Sequence, residues 1–457
     1  YRGYDDKIHQ TKGENYYEFF SLWDTYRAQN QLLALLSPER AKDIASSILK
    51  IKDQQGWLPR WGYANFETNI MTGDPVTPFL VDLWRYGALK GKEQAAYRAL
   101  RENAFGVPDY KIRAEGRAGN PHYLQHGFVP YQRDFRAKGM DVDPHHGASA
   151  TLEYAQADGA LSIMAEALGK TKDAQLLAKR STNWQRIWDA EASDTELGFK
   201  GFPRPRMIDA SWFSEIDGSY NPRSENGFHE GTAWQYQWLV QQNIPALVQA
   251  MGGREQAGKR LDAFFAMDAL QKDAHQAVRK DWVVGPYSYY KQFRYNPNNE
   301  PDIHTPWMYT HIGQAWKTTA VLRAADSLFS NAPNGVTGND DLGTMSAWYV
   351  FSALGIYPAS PGSGNFLLHT PQFRLATIHL ANDKALLIST SPAQNNGVEY
   401  IQAATWQKQK QSKVYLSWEQ LHQGGELHFE LTSEPAQAQW GSATADVMTT
   451  PMPKLKQ

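Results

Sequence analysis

Through the first 365 residues the apolar positions recur at helical spacing and hardly anywhere alternate. Ala41, Ile44, Ala45, Ile48 and Ile51 share one face of a helix. It is announced by Ser37-Pro38, a capping hydroxyl followed by a proline at the first helical position. Ile244, Leu247, Val248 and Met251 mark a second such face, closed by Gly252-Gly253. The same period predicts helices over 14–36, 78–88, 92–103, 147–168, 171–189, 231–241 and 254–267. One or two more fall in 307–329, and a closing apolar helix, 346–354, is stopped by Gly355 and Pro358. About a dozen helices in short-linked succession, with no strand between them, predict a mainly α domain over 1–365. Paired helices in this number suit an (α/α)6 toroid whose inner helices converge on one end. There is no fixed repeat period, which excludes a solenoid of identical units.

The texture changes after Pro361-Gly362-Ser363-Gly364. Short β-rich runs follow at 373–380, 385–390 and 413–418, and Leu427, Phe429 and Leu431 alternate. Asn396-Gly397 and Gly424-Gly425 read as turns and 448–457 as a tail. Residues 366–457 are therefore expected to be a small C-terminal β-sandwich portion. Too few strands are present for a complete sandwich, so its open face needs a second sheet.

Composition narrows the function. The chain has 457 residues and a formal net charge of −2 with both signs scattered, so no basic face argues for nucleic acid. No run of about 18 apolar residues is present to span a membrane. The absence of cysteine excludes disulfides, thiolate metal sites and a cysteine nucleophile. It also suits an exported bacterial protein, periplasmic or secreted. The chain starts at Tyr1 with neither an initiator Met nor a signal peptide, as expected of an internal or processed start. With 16 Trp and 23 Tyr, the composition leans towards carbohydrate, whose ring faces suit flat amphipathic side chains.

The candidate chemistry lies in loops that precede helices. Gly335 to Gly343 presents Asn339, Asp340 and Asp341 side by side before the closing helix. A carboxylate there is favoured by unpaired backbone N–H groups, either as a simple helix cap or as part of a site. Trp23 and Arg27 share a helical face with Asp24 beside them, as a surface ion pair or as a platform for sugar hydroxyls. Trp57-Leu58-Pro59-Arg60-Trp61 repeats that chemistry in a loop. Glu230 sits between His229 and Gly231 with Trp234 and Tyr236 downstream. It is either a capping residue or a carboxyl kept neutral by burial, as a general acid requires. Asn299, Glu300 and Asp302 crowd a third loop with oxygen ligands of the kind a hard cation takes. His145-His146 reads as structural. Several aromatic-flanked carboxylates on an all-α domain are the inventory of two-carboxylate glycoside hydrolysis.

At these residues the chain resembles glycoside hydrolase family 92, the calcium-dependent, exo-acting, inverting α-mannosidases. The similarity is carried by Phe20-Ser-Leu-Trp-Asp-Thr25, Gly56-Trp-Leu-Pro59, Thr151-Leu-Glu-Tyr154, His229-Glu-Gly-Thr-Ala-Trp-Gln-Tyr236, Asn299-Glu-Pro301, and Gly338-Asn-Asp-Asp341 through Pro358. The resemblance implies a toroid packed on a β-sandwich and mannose-containing glycans as substrates. Glu230 would be the general acid and Asp341 the general base, with Asp340 assisting. Trp23, Asp24, Arg27 and Trp57, together with His229, Trp234 and Asn299, would bind the sugar. Ca2+ would be held near Glu300 and Asn339. It further implies an N-terminal β domain, as a separate fragment or another chain, to complete the sandwich and the site. The chain departs from the family pattern at Asn298, Asn299, Asn339 and Thr344. The alternatives are another (α/α)6 glycosidase of glucosidase or trehalase type, which needs no calcium, and a glycan-binding remnant without activity.

Overall fold

The computed structural model describes residues 1–447 except 110, 136–140, 284–290, 382 and 394–397. Helices dominate the first three quarters of the chain, and the sequence patterns explain their ends. The helix Pro38–Gln55 buries Ala41, Ala45, Ile48 and Ile51 and stops where Gly56 turns left-handed and its N–H caps the Lys52 carbonyl. Neighbouring helices pack as short-linked pairs, among them Gly147–Ala167 with Thr171–Arg180, and Met308–His311 with Ala315–Asp326. The last helix of the toroid, Thr344–Leu354, returns to pack on the early helix Gln29–Leu36, which closes the ring into the (α/α)6 toroid.

The helix Gly147–Ala167 lies at the centre of this packing, and every residue from 147 to 162 is buried. A helix covered on all sides must pair any charge that it carries. Asp158 does so with Arg117 and Arg180, each at 2.8 Å. Glu153 points the other way, into the candidate site described below.

Several elements differ from the sequence expectation. Residues 14–36 are not one helix: Phe20–Ser21 is a strand paired with Trp61 and Gly62, Leu22–Thr25 is a single turn, and Ala28 at φ 94° restarts the chain as Gln29–Leu36. The span 171–189 ends its helix at Arg180, and Trp188–Asp194 then pairs with Phe199–Pro203 as a hairpin. In 231–241 only Ala233–Tyr236 is α-helical. The apolar spacing there is met by aromatic rings packed in loops, which burial patterns alone do not distinguish from helix. Strands therefore do interrupt the helical region.

The C-terminal strands form a five-stranded sheet ordered Gln409–Lys410, Tyr400–Trp406, Gly425–Thr432, Ala385–Ser391, Leu375–His379. Only the third and fourth of these pair in parallel. Leu427, Phe429 and Leu431 are buried on one face, as their alternation requires. A second sheet of Tyr415–Ser417, Asn365–Leu368 and Ile356–Pro358 begins directly after the closing helix. The C-terminal strands thus start at Ile356, ahead of the boundary expected at 366. The turn at Asn396-Gly397 and the tail 448–457 lie outside the described residues.

Candidate active site

Asp24, Glu300 and Asp341 come from three separate segments, yet their carboxylate oxygens lie within 4.8 Å of one another. Asp24 follows the short strand that Ser21 ends, and the Ser21 hydroxyl donates to its carboxylate. Glu300 opens the 3-10 turn Glu300–Asp302, which is tied to the closing helix by the Trp348 indole N–H on the Ile303 carbonyl at 2.9 Å. Asp341 is brought alongside by a tight backbone approach. At Gly338 (φ +68°) a Cβ would stand 2.1 Å from the Asn298 carbonyl oxygen, so only glycine lets the two acidic loops touch. Asp341 and Leu342 then both take left-handed backbone, at φ 44° and 55°.

Hydrogen bonds compensate these acids only in part. Both Glu300 oxygens and Oδ1 of Asp24 are buried and have no donor among the described residues. Burial, and then the neighbouring carboxylates, push Glu300 and Asp24 well above the usual carboxyl range. Burial also raises Asp341. Desolvated like charges this close need either protons or a cation. An all-oxygen set in which both Glu300 oxygens and one of Asp24 have no donor fits a hard dication such as Ca2+.

Beside them stands Glu230, half-buried and also left-handed at φ 50°. Its Oε2 accepts from the Asn299 amide at 2.9 Å. Burial raises its pKa, as do the charges of Asp141 and Asp341, against the lowering by Asn299 and His146. Non-glycine residues in this backbone region cost roughly 1–3 kcal/mol each and cluster at functional sites. Here two of them, Glu230 and Asp341, carry the candidate acid and base.

Arg27 and Trp23 define the opposite wall. Arg27 donates to Glu153 Oε1 at 2.7 Å with both side chains buried, and lies over the Trp23 ring at 5.1 Å. A second guanidinium nitrogen reaches the Glu300 carbonyl at 3.4 Å. The Trp23 indole N–H and the Tyr26 hydroxyl also donate to Glu153, at 3.2 and 3.1 Å. Room for Glu153 is made by Gly73 (φ +80°), where a Cβ would stand 2.5 Å from that of Glu153. His229 meets the Trp23 ring edge-on at 5.3 Å and is fixed by Ser149 on its N–H and by Tyr236 on its carbonyl. Glu153→Ala is expected to destabilise the fold by about 3–5 kcal/mol, because it strands the buried Arg27 charge. Urea denaturation of the two proteins measures this, with Glu153→Gln expected to lose less.

Four residues expected here lie elsewhere. Trp57 donates its indole N–H to Asn103 Oδ1 at 2.7 Å, and its ring fills the space over Gly106 and Gly116, so it is packing. Trp234 is fully buried, donates to Asp194 at 2.9 Å and is wedged between Phe199, Phe202 and Phe293, so it supports the Glu230 loop without lining the site. Asp340 is exposed and caps the closing helix, accepting from the Ser346 N–H and hydroxyl at 2.9 and 2.7 Å. Asn339 is exposed on a surface pocket with Phe329, Asn334 and Tyr349, apart from the three carboxylates. The carboxylates gathered around Glu300 are those of Asp24 and Asp341. Glu153 was missed as a site residue although its Thr151-Leu-Glu-Tyr154 motif was visible. His146 was read with His145 as structural, and Asp141 was not singled out; no local spacing joins either to His229.

Residues 1–433 match the glycosyl hydrolase family 92 catalytic domain. The chain belongs to glycosyl hydrolase family 92. It is 26% identical to a family 92 α-mannosidase of Bacteroides thetaiotaomicron, with a TM-score of 0.81 over 98% of this chain and 54% of that one. A second structure from that organism, a family 92 inverting mannosidase, is 28% identical with a TM-score of 0.80, covering 98% of this chain and 57% of the other. An uncharacterized secreted glycosidase of Arthroderma benhamiae is 25% identical over 439 residues, 92% of this chain and 52% of that protein. The family 92 domain described here thus spans about half the length of these relatives. No helix among the described residues is long and apolar enough to cross a membrane.

Proposed function

We propose that this chain is the catalytic part of a secreted, calcium-dependent exo-α-mannosidase that removes terminal mannose from glycans with inversion. The observation that carries this reading is the cluster Asp24, Glu300 and Asp341, in which both Glu300 oxygens and one of Asp24 have no donor among the described residues, next to the raised carboxyl of Glu230. Similarity to two mannosidases, one of them inverting, supports the choice of sugar and stereochemistry.

Glu230 gives its proton to the glycosidic oxygen as the C1–O bond breaks. Burial keeps that proton on the carboxyl until the leaving group needs it. Asp341 takes a proton from a water that attacks C1 on the opposite face, which in inverting enzymes needs carboxyls about 6.5–9.5 Å apart. Arg27 and Trp23, locked by Glu153, and His229 hold the sugar in register. Asp24, Glu300 and Asp341 would hold Ca2+, which when bound supplies a fixed positive charge for the sugar hydroxyls.

The test is product stereochemistry. Proton NMR of fresh α-mannoside hydrolysate should show β-mannose first, with the matching α-glucoside left uncut. Initial α-mannose, or faster cleavage of the glucoside, would sink the reading. We also propose that a β domain packs on the five-stranded sheet, where Phe373, Leu375 and Leu387 are exposed. Activity of 1–457 alone should then be weak and rise when such a domain is supplied, as a titration of the two would show.

A further inference from the structure

A second group of metal-type ligands stands apart from the three carboxylates. Ligand atoms of Asp141, His146 and His229 lie within 4.8 Å of one another. The His146 and His229 rings are 4.5 Å apart and 70° inclined. His146 Nε2 faces Asp141 Oδ1 at 3.7 Å, too far for a hydrogen bond. In a tetrahedral zinc site with bonds of about 2.0–2.1 Å, neighbouring ligand atoms stand roughly 3.4 Å apart, close to this spacing. A fourth donor is present, since Met71 Sδ lies 3.2 Å from His229 Nε2.

The ligands are braced from outside. The Met71 N–H donates to Asp141 Oδ2 at 3.2 Å, orienting the carboxylate so that Oδ1 faces the imidazole. Asp141 and His146 flank Asp143, which is buried and accepts from the Gly73 and Ala118 N–H groups and from Arg60 at 3.0–3.1 Å. His229 is fixed by Ser149 and Tyr236. Such support is what metal ligands need to hold their geometry. The donor chemistry differs from that of the carboxylate trio: two imidazoles, one carboxylate and a thioether suit a borderline or soft ion and not Ca2+.

We infer that Asp141, His146 and His229 bind a divalent transition-metal ion, with Zn2+ as the probe, and that its binding inhibits the enzyme. His229 meets the Trp23 ring edge-on at 5.3 Å in the proposed sugar site, and Glu230 follows it directly in the chain. An ion held on the His229 imidazole would occupy that wall and keep the sugar from it. The binding site stands without reference to the reaction; only the inhibition rests on His229 as part of the sugar site.

The experiment uses the full chain with Ca2+ in excess. Calorimetry should show one Zn2+ bound, and scattering at the zinc edge from a soaked crystal should place it on Asp141, His146 and His229. His146→Gln should weaken zinc binding on the order of 100-fold, as loss of a ligand costs at least what loss of its support does. Asp141→Asn should act similarly, with the metal-free thermal transition of each variant recorded to show that it is folded. Zinc that saturates the wild type should inhibit it, while His146→Gln, relative to its own zinc-free rate, resists. Zinc found on Asp24, Glu300 and Asp341, or an affinity that neither substitution changes, overturns the site. Zinc bound at the proposed residues without inhibition overturns the inhibitory role, and with it the placing of His229 in the sugar site.

Discussion

Glu230→Gln is expected to lose on the order of 10²–10⁴-fold in kcat on mannosides with poor leaving groups while keeping the fold and mannose binding. The amide matches the carboxyl in shape and can still meet Asn299, so the loss isolates the proton. An activated aryl mannoside needs little protonation and should suffer far less. Comparing kcat on the two substrate types is the measurement, and equal losses would mean that the acid is another group. The pH profile carries the same signature. The acid must be protonated to act, and burial raises its pKa, so wild-type kcat/KM should fall as pH rises through that raised value. Glu230→Gln should flatten this limb and leave the limb at low pH, where Asp341 must lose its proton to act as the base.

Exhaustive chelation is expected to abolish turnover, with Ca2+ restoring it and Zn2+ failing to. Glu300→Gln should be inactive and beyond rescue by added Ca2+, since it removes charge from the most buried member of the trio. Full activity after chelation would favour a calcium-free glycosidase. The same residues predict a change in stability with pH. Asp24 and Glu300 have folded-state pKa values raised above their unfolded ones. Without a cation they therefore favour the fold while protonated, below the unfolded carboxyl range, and that contribution is lost as pH rises through the raised values. Thermal melts of chelated protein should consequently lose stability with rising pH relative to calcium-loaded protein, which holds the carboxylates ionised. Parallel pH dependence in the two forms would argue that no cation is held by these acids.

Much of this molecule is written locally in its sequence. Ala41, Ala45, Ile48 and Ile51 are read as a buried face because helical geometry repeats every 3.6 residues, and Leu427, Phe429 and Leu431 because strands alternate. Ser37-Pro38 and Gly56 mark helix ends through backbone constraints that operate within a few residues. The motif around Glu230 and the run Asn339-Asp340-Asp341 were visible as acidic loops for the same reason.

What those acids do was not local. Asp340 and Asp341 are adjacent and chemically alike. One caps the closing helix through Ser346 and the other turns, on a left-handed backbone, towards Glu300. Trp23 and Trp57 carried equal signals, yet the first meets Glu153 and His229 and the second fills a space over two glycines. Asp24 stands 276 and 317 residues before Glu300 and Asp341, which are themselves 41 apart, and His229 lies 83 residues beyond His146. Spacing along the chain fixes which side chains share a helix face or strand edge. Which faces meet, and which carboxylates are stripped of water and donors together, is set by long-range packing of the closed toroid, and only the tertiary structure decides it.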